Sequence, residues 1–312
     1  MRVLNCQGTN WDIIAKQITD KEVEEDIYHP WPVNKFGDVC DRNMLWKTPV
    51  MGGPVSKYWD FVTGGAIKGQ VHMLVAPSGG GKTRTGIDVS ARLLSAGWKV
   101  CYLTFEQTKE EIYEMMLIKL SGGDKSMAQS DKIWDKAKDL PFCVYEFYNN
   151  DKNSVIHLLS HFGAYDALVL DYVAPPDNCP LEGPEMSTTM RLMCKGIKAI
   201  ATKNNQYVFC MAQGRDGEPD KDGNIAFSTV KDIWCSAQMI TPLDVVCVQK
   251  SSPFGEKYLD FIKVRYPRHG LSRCRVVRRW DYGLLKSEDI SIRDVMGVEI
   301  NVKGLQGGEA GT

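Results

Sequence analysis

The sequence predicts an α/β fold: a mainly parallel sheet with helices on both faces and an antiparallel hairpin at its C-terminal end. Three observations predict it. Short apolar, β-rich runs recur at residues 71–76, 100–105, 142–147, 167–172, 207–211 and 245–248. Amphipathic stretches of helical period, such as residues 83–96 and 188–203, lie between several of them. Strands alternating with helices of that length are the signature of βαβ crossovers, whose sheet is buried on both sides. Finally, residues 258–265 and 274–280 are two further β-rich runs, separated only by a Pro- and Gly-containing turn, which is the pattern of a hairpin.

The flanking segments read differently. In residues 1–28, Trp11, Ile14 and Ile18 follow helical spacing, and Thr19 with Glu22 forms a capping box for a second short helix. His29-Pro30-Trp31-Pro32 then breaks the pattern, and residues 30–55 are rich in Pro, Gly, Asn and Asp. We therefore expect a helical arm with its linker over 1–50, one large α/β domain over 51–300, and a flexible tail over 301–312, where residues 304–312 hold four glycines. The arm either packs on its own domain or, with twenty irregular residues behind it, reaches a neighbouring subunit.

Composition narrows the function classes. The chain has 312 residues, 43% hydrophobic and 25% charged, as an ordinary globular protein does. Its net charge is −1, so no global basic field advertises nucleic acid; such contacts need a local patch or several subunits acting together. Ten cysteines without one C-x-x-C pair and five scattered histidines exclude a zinc ribbon or finger. No apolar run reaches the length of a membrane span, and no secretory signal is visible, so no membrane association and a cytoplasmic location are expected.

The chemistry begins where the run 71–76 meets Pro77-Ser78-Gly79-Gly80-Gly81-Lys82-Thr83-Arg84. A buried strand, a glycine-rich turn and a helix opened by Lys-Thr form a phosphate cradle. The glycines let successive N–H groups converge on an anion, and the helix N-terminus adds its positive end. Lys82 would reach the β- and γ-phosphates, and the Thr83 hydroxyl would hold Mg²⁺. Position 76 is Ala where the stricter motif has Gly. Asp171 ends an apolar strand some 90 residues later, the place of a carboxylate that meets Mg²⁺.

Glu106 follows the run 100–105. Parallel strands end on one edge, so this carboxylate would emerge near the phosphates and orient or deprotonate the attacking water, or else serve as a solvated first-turn Glu of the helix over 107–120. Gln213, after the run 207–211, can bond the γ-phosphate or its water, or stand in an exposed loop. Lys263-Val264-Arg265 alternate along a strand, so both cations share a face. They are either a finger offered to another subunit's nucleotide or solvated charges on an edge strand.

Together and in this order, these residues resemble the DnaB-type replicative ring helicases, over about residues 50–285. Tyr58-Trp59-Asp60 with Gly64-Gly65 looks like the family's lead-in to the P-loop, and Lys263-Val264-Arg265 followed by Gly270 looks like its K-x-R element. The resemblance implies a RecA-like P-loop core using ATP (or a dNTP) and Mg²⁺. It implies Glu106 as the catalytic glutamate, Gln213 as sensor and Arg265 as a finger acting between subunits. The partners implied are single-stranded DNA, further copies of the chain in a ring, generally of six, and a primase or loader. Segment 228–244 corresponds to a DNA-facing loop, with Lys231 and then Arg215 as candidate contacts. The chain departs from the family in having Gly214-Arg215 where an Asn is usual, Lys231-Asp232-Ile233-Trp234 in place of an Arg-x-Ser-Gly core, and no room for a collar domain. A phage or mobile-element source fits a chain this short, in which case the location would be the host cytoplasm. Strand-exchange and clock-type ATPases share the core motifs without unwinding DNA, and they stand as the alternative.

Overall fold

The computed structural model describes residues 56–302, apart from 148–155, 157–158, 176–178, 180–182, 216–220, 222–224, 235–236, 253–254 and 282–285. The N-terminal arm, its linker and the tail from 303 lie outside the described residues.

All six expected parallel strands form: β1 (Val71–Ala76), β2 (Val100–Thr104), β3 (Phe142–Glu146), β4 (Ala167–Val173), β5 (Tyr207–Gln213) and β6 (Val245–Ser251). They join one nine-stranded sheet in the order β3-β2-β4-β5-β1-β6-β7-β8-β9. The hairpin is also present, as β7 (Glu256–Val264) and β8 (Cys274–Asp281), but it is not the end of the sheet. β9 (Lys286–Arg293) pairs antiparallel outside it. The run Lys286-Ser-Glu-Asp-Ile-Ser-Ile lacks the apolar content of an inner strand and gives no strand signal; an edge strand with one solvated face does not need that content.

The helices begin where their caps dictate. α1 (Lys57–Thr63), not expected as a helix, is capped by Ser56, whose Oγ accepts from Trp59 N at 3.0 Å. α2 (Lys82–Ser95) follows the glycine-rich turn, and its Gly86 packs so closely on Tyr102 and Met211 that an added Cβ would lie 2.8 Å from each. α3 (Lys109–Leu120) starts two residues later than period alone suggests. A complete capping box sets the start: Thr108 Oγ1 accepts from Glu111 N at 3.3 Å, and Glu111 Oε2 from Thr108 N at 2.9 Å. Short helices α4 (Lys125–Ala128) and α5 (Asp131–Ala137) follow. α6 (Pro184–Lys203) begins four residues earlier than expected, with Pro184 in its first turn.

The core is anchored by Trp59, which is fully buried, with the Phe261 ring 4.9 Å and the Phe209 ring 5.9 Å away. Its indole N–H donates to His72 Nδ1 at 3.3 Å, and the Tyr207 hydroxyl lies 3.0 Å from the same nitrogen. The other ring nitrogen of His72 lies 3.0 Å from Gln70 Oε1, so the proton belongs on Nε2. Burial, and then the charge of Lys198, hold the His72 pKa down to about 3. Through Trp59 and these partners α1 is fastened across the parallel and antiparallel parts of the sheet.

Candidate functional site

β1 ends at Ala76 and the chain turns over Pro77–Gly81 before α2. Gly79 and Gly81 have φ of +67° and +92°, values that L side chains rarely adopt, and a Cβ on Gly80 would stand 2.9 Å from the Pro77 carbonyl oxygen. The three glycines are therefore required by the backbone and not only by composition. Ser78 and Gly79 are exposed, so the turn is open to solvent, with Arg84 in the first turn of α2. The Lys82 ammonium folds into the loop and donates to the carbonyls of Pro77 (3.1 Å) and Ala76 (3.4 Å). Burial lowers its pKa, while the charges of Asp171 and Glu106 oppose that shift.

Asp171 is buried in β4, opposite Thr104 of β2. Its Oδ2 accepts from the Tyr102 hydroxyl at 2.7 Å, and its carboxylate also accepts from the Thr83 side chain. Burial raises its pKa against the pull of those two hydrogen bonds. Among the described residues no group of three or more His, Cys, Asp or Glu could hold a metal. The donor set at this edge is one carboxylate beside one hydroxyl, which suits a hard cation that draws its remaining ligands from phosphate and water.

β2 stops at Thr104, so Glu106 lies two residues beyond the strand and not at its end. It is exposed, and its charge acts on both Lys82 and Asp171. β5 runs two residues further than expected, making Gln213 its last residue and the register partner of Ala76. Gly214 explains the absence of the larger Asn: its N–H donates to Ala76 O at 2.9 Å, and a Cβ would meet Val75 Cγ1 at 3.0 Å. Glu106, Lys82, Thr83, Asp171 and Gln213 thus gather at one edge of the sheet. That edge is where the parallel strands end.

One further residue at this edge does not emerge from the sequence reading. β6 extends three residues past the expected run, and Gln249 donates a short hydrogen bond from Nε2 to Gly80 O of the glycine turn. A signal for it exists, since Gln249 is a polar residue near the end of a parallel strand, as Gln213 is.

Lys263 and Arg265 lie at the opposite edge. β7 runs antiparallel to β6, so its last residue, Val264, pairs with Val245 at the start of β6. Arg265 is one residue past the strand. Both cations do share a face: Lys263 donates to the carbonyls of Ile240 (2.8 Å) and Thr241 (2.7 Å), and Arg265 reaches the carbonyls of Thr241, Pro242 and Leu243 at 3.2–3.4 Å. Arg265 also pairs with Asp244 at 3.2 Å. Buried Asp244 is the hub, holding Lys198 at 2.6 Å and Val71 N at 2.8 Å. Burial, and then Arg265, lower the Lys263 pKa.

The two candidate DNA contacts come together. Gly214 bridges Ile233, and Arg215 N donates to Asp232 O at 2.8 Å, so exposed Arg215 neighbours the turn Val230–Asp232 that carries exposed Lys231. Segment 228–244 is not open along its length. Met239 and Leu243 are fully buried, Ile233 is buried too, and the turn Ala237–Ile240 packs on α6, which leaves Thr229, Val230, Lys231 and Trp234 exposed.

No family model and no curated protein matches the sequence. Solved structures do match its fold. A DnaB-like replicative helicase, solved in a study of its interactions with primase, superposes with a TM-score of 0.61 at 13% identity, covering 89% of this chain and 74% of that one. A second solved structure, an ATPase domain on its own, gives 0.62 at 11% identity, over 88% of this chain and 98% of that one. RadB recombinase superposes more loosely, at 0.45 with 17% identity. The architecture is shared with those first two structures. Among the described residues no helix is long and apolar enough to cross a membrane.

Proposed function

We propose that this chain is an ATP- or dNTP-hydrolysing motor that moves along single-stranded DNA as a homo-oligomeric ring and unwinds duplex at a replication fork. One observation carries it. Lys82, Thr83, Asp171 and Glu106 share one edge, with groups to bind phosphate, hold Mg²⁺ and orient water, while the exposed Arg265 stands at the other edge, where a second copy could use it.

The residues divide the work. The glycine turn and the N-terminus of α2 bind the phosphates, and Lys82 transfers its hydrogen bonds from the Ala76 and Pro77 carbonyls to them. Thr83 and Asp171 would hold Mg²⁺, which supplies charge neutralisation at the phosphates. Tyr102 and Thr83 orient the Asp171 carboxylate and favour its ionised form. Glu106, exposed to solvent, positions the attacking water and takes its proton. Gln213 sits between the cradle and the outward loop, which suits a reporter of phosphate occupancy. Arg215 and Lys231 would contact the phosphates of the strand, whose binding falls with salt.

The test is ATP hydrolysis with and without oligo-dT, with native mass measured in nucleotide and Mg²⁺. Stimulated turnover by a closed ring supports the motor. Hydrolysis by filaments, or without any response to DNA, would favour the recombination or regulatory alternative. No hydrolysis at all would overturn the enzyme.

A further inference from the structure

Near its end β6 carries two adjacent residues with opposite faces, and each face touches a different part of the proposed machine. Gln249 points toward the glycine turn and donates to Gly80 O, across 169 residues of sequence. Lys250 points to the other face, where its ammonium pairs with Asp232 at 3.0 Å. The Lys250 side chain is only 5% exposed and that of Asp232 21%, so the pair is shielded from solvent and weakly screened by salt. Two charges this shielded depend on each other, and removing either one strands the other.

Asp232 is in turn the organiser of the outward loop. Its Oδ2 accepts from Thr229 N at 2.6 Å, closing a capping box with Thr229, and its backbone oxygen accepts from Arg215 N at 2.8 Å. The turn it holds carries Lys231, and the chain leaving β5 that it holds carries Arg215. Neither contact is needed for β6 to form, since its ladder to β1 ends at Val248 and that to β7 rests on backbone bonds.

We propose that Lys250 is a positioning residue that couples phosphate occupancy at the glycine turn to the DNA-facing loop, through the chain Gly80–Gln249–Lys250–Asp232. This rests on the proposed function above and adds to it a route separate from Gln213. When phosphate draws the N–H groups of the turn, the Gly80 carbonyl shifts with its peptide planes, and Gln249 carries that shift to the tip of β6. Lys250 then moves Asp232, and with it the backbone that presents Lys231 and Arg215.

Coupling of this kind is reciprocal: nucleotide changes DNA affinity by the same factor as DNA changes nucleotide affinity, typically about 5–150-fold. The experiment closes that cycle on the full chain, with fluorescent oligo-dT and a non-hydrolysable ATP analogue, for wild type, Lys250→Met and Lys250→Arg. The expected result is a clear factor in wild type, a fall to under about twofold in Lys250→Met with each ligand still binding alone, and partial recovery in Lys250→Arg. If Lys250→Met does not fold, Asp232→Asn replaces it, keeping the shape of the cap while removing the ion pair. A wild-type coupling factor in either variant overturns the link and leaves the motor reading untouched. A wild type that binds nucleotide but no oligo-dT overturns the DNA reading, and this one with it.

Discussion

Arg265→Ala tests the most specific consequence of the sheet topology. Arg265 N bonds Asp244 O, and Asp244 N bonds Val71 O, so the arginine is level with the start of β1. The glycine turn begins after Ala76, five residues on, which is roughly 16 Å along the strand at ~3.3 Å per residue. β7 is also two strands to the side of β1, adding roughly 10 Å laterally. One side chain cannot cover that span, so any service to a phosphate is to a neighbour's. Loss of such a guanidinium typically costs about 10³–10⁵ in rate, or about 4–7 kcal/mol of transition-state stabilisation. The fold should survive. Arg265 is a third exposed, and buried Asp244 keeps Lys198 and Val71 N on its other oxygen, so the loss should stay near that of one buried acceptor left unpaired, about 1–3 kcal/mol. Lys263→Ala should cost less rate, because an ammonium lacks the bidentate fork. The assay mixes Arg265→Ala with Lys82→Ala subunits and measures steady-state ATP hydrolysis. Each parent is inactive, but mixed rings contain interfaces that join an intact cradle to an intact finger, so part of the activity returns. Co-assembly without recovery refutes action between subunits, and normal hydrolysis by Arg265→Ala alone refutes the finger.

Three other outcomes follow from the geometry. Lys82→Ala should abolish hydrolysis with weakened nucleotide binding, whereas Glu106→Gln should abolish hydrolysis and leave binding largely intact, because the partner proposed for Glu106 is the attacking water and not the phosphates; turnover in the glutamine variant would remove it from catalysis. Gly80→Ala should reduce nucleotide affinity at least about tenfold with the circular dichroism spectrum unchanged, since its Cβ would press the Pro77 carbonyl at 2.9 Å and deform the turn; unchanged affinity would mean the turn is not the phosphate site. His72 is held near 3 in the folded protein against about 6.5 unfolded, so unfolding takes up a proton below pH 6.5. Its contribution is intact above that pH and declines as pH falls toward 3, by about 2 kcal/mol at pH 5. Urea melts at pH 7.5 and 5 should show a smaller pH dependence in His72→Gln, and equal dependence in both proteins would exclude His72 as the source.

Much of this protein is legible in local sequence. Six parallel strands follow from apolar runs spaced by amphipathic stretches, because each βαβ unit must bury its own faces. The glycine turn follows from three glycines between a strand and a Lys-Thr helix start, because the required φ values are properties of single residues. Thr108 and Glu111 set the start of α3 in the same local way, although period alone places it two residues early. Other features belong to no local segment. Lys263 and Arg265 alternate on one strand, but only the antiparallel run of β7 back along β6 puts them at the edge away from the glycine turn. Asp244 looks like any loop carboxylate until α6 brings Lys198 to it and β7 brings Arg265. Gln249 and Gly80 are 169 residues apart, and β6 becomes the neighbour of β1 only when the chain returns from β5. Local conformational preference acts over a few residues, so sequence alone determines the six parallel strands, the hairpin and the glycine turn, but not the edge strand β9. Which polar groups then meet is decided by strand order, because burial in the assembled sheet is what makes an unpaired charge or amide too costly to leave alone.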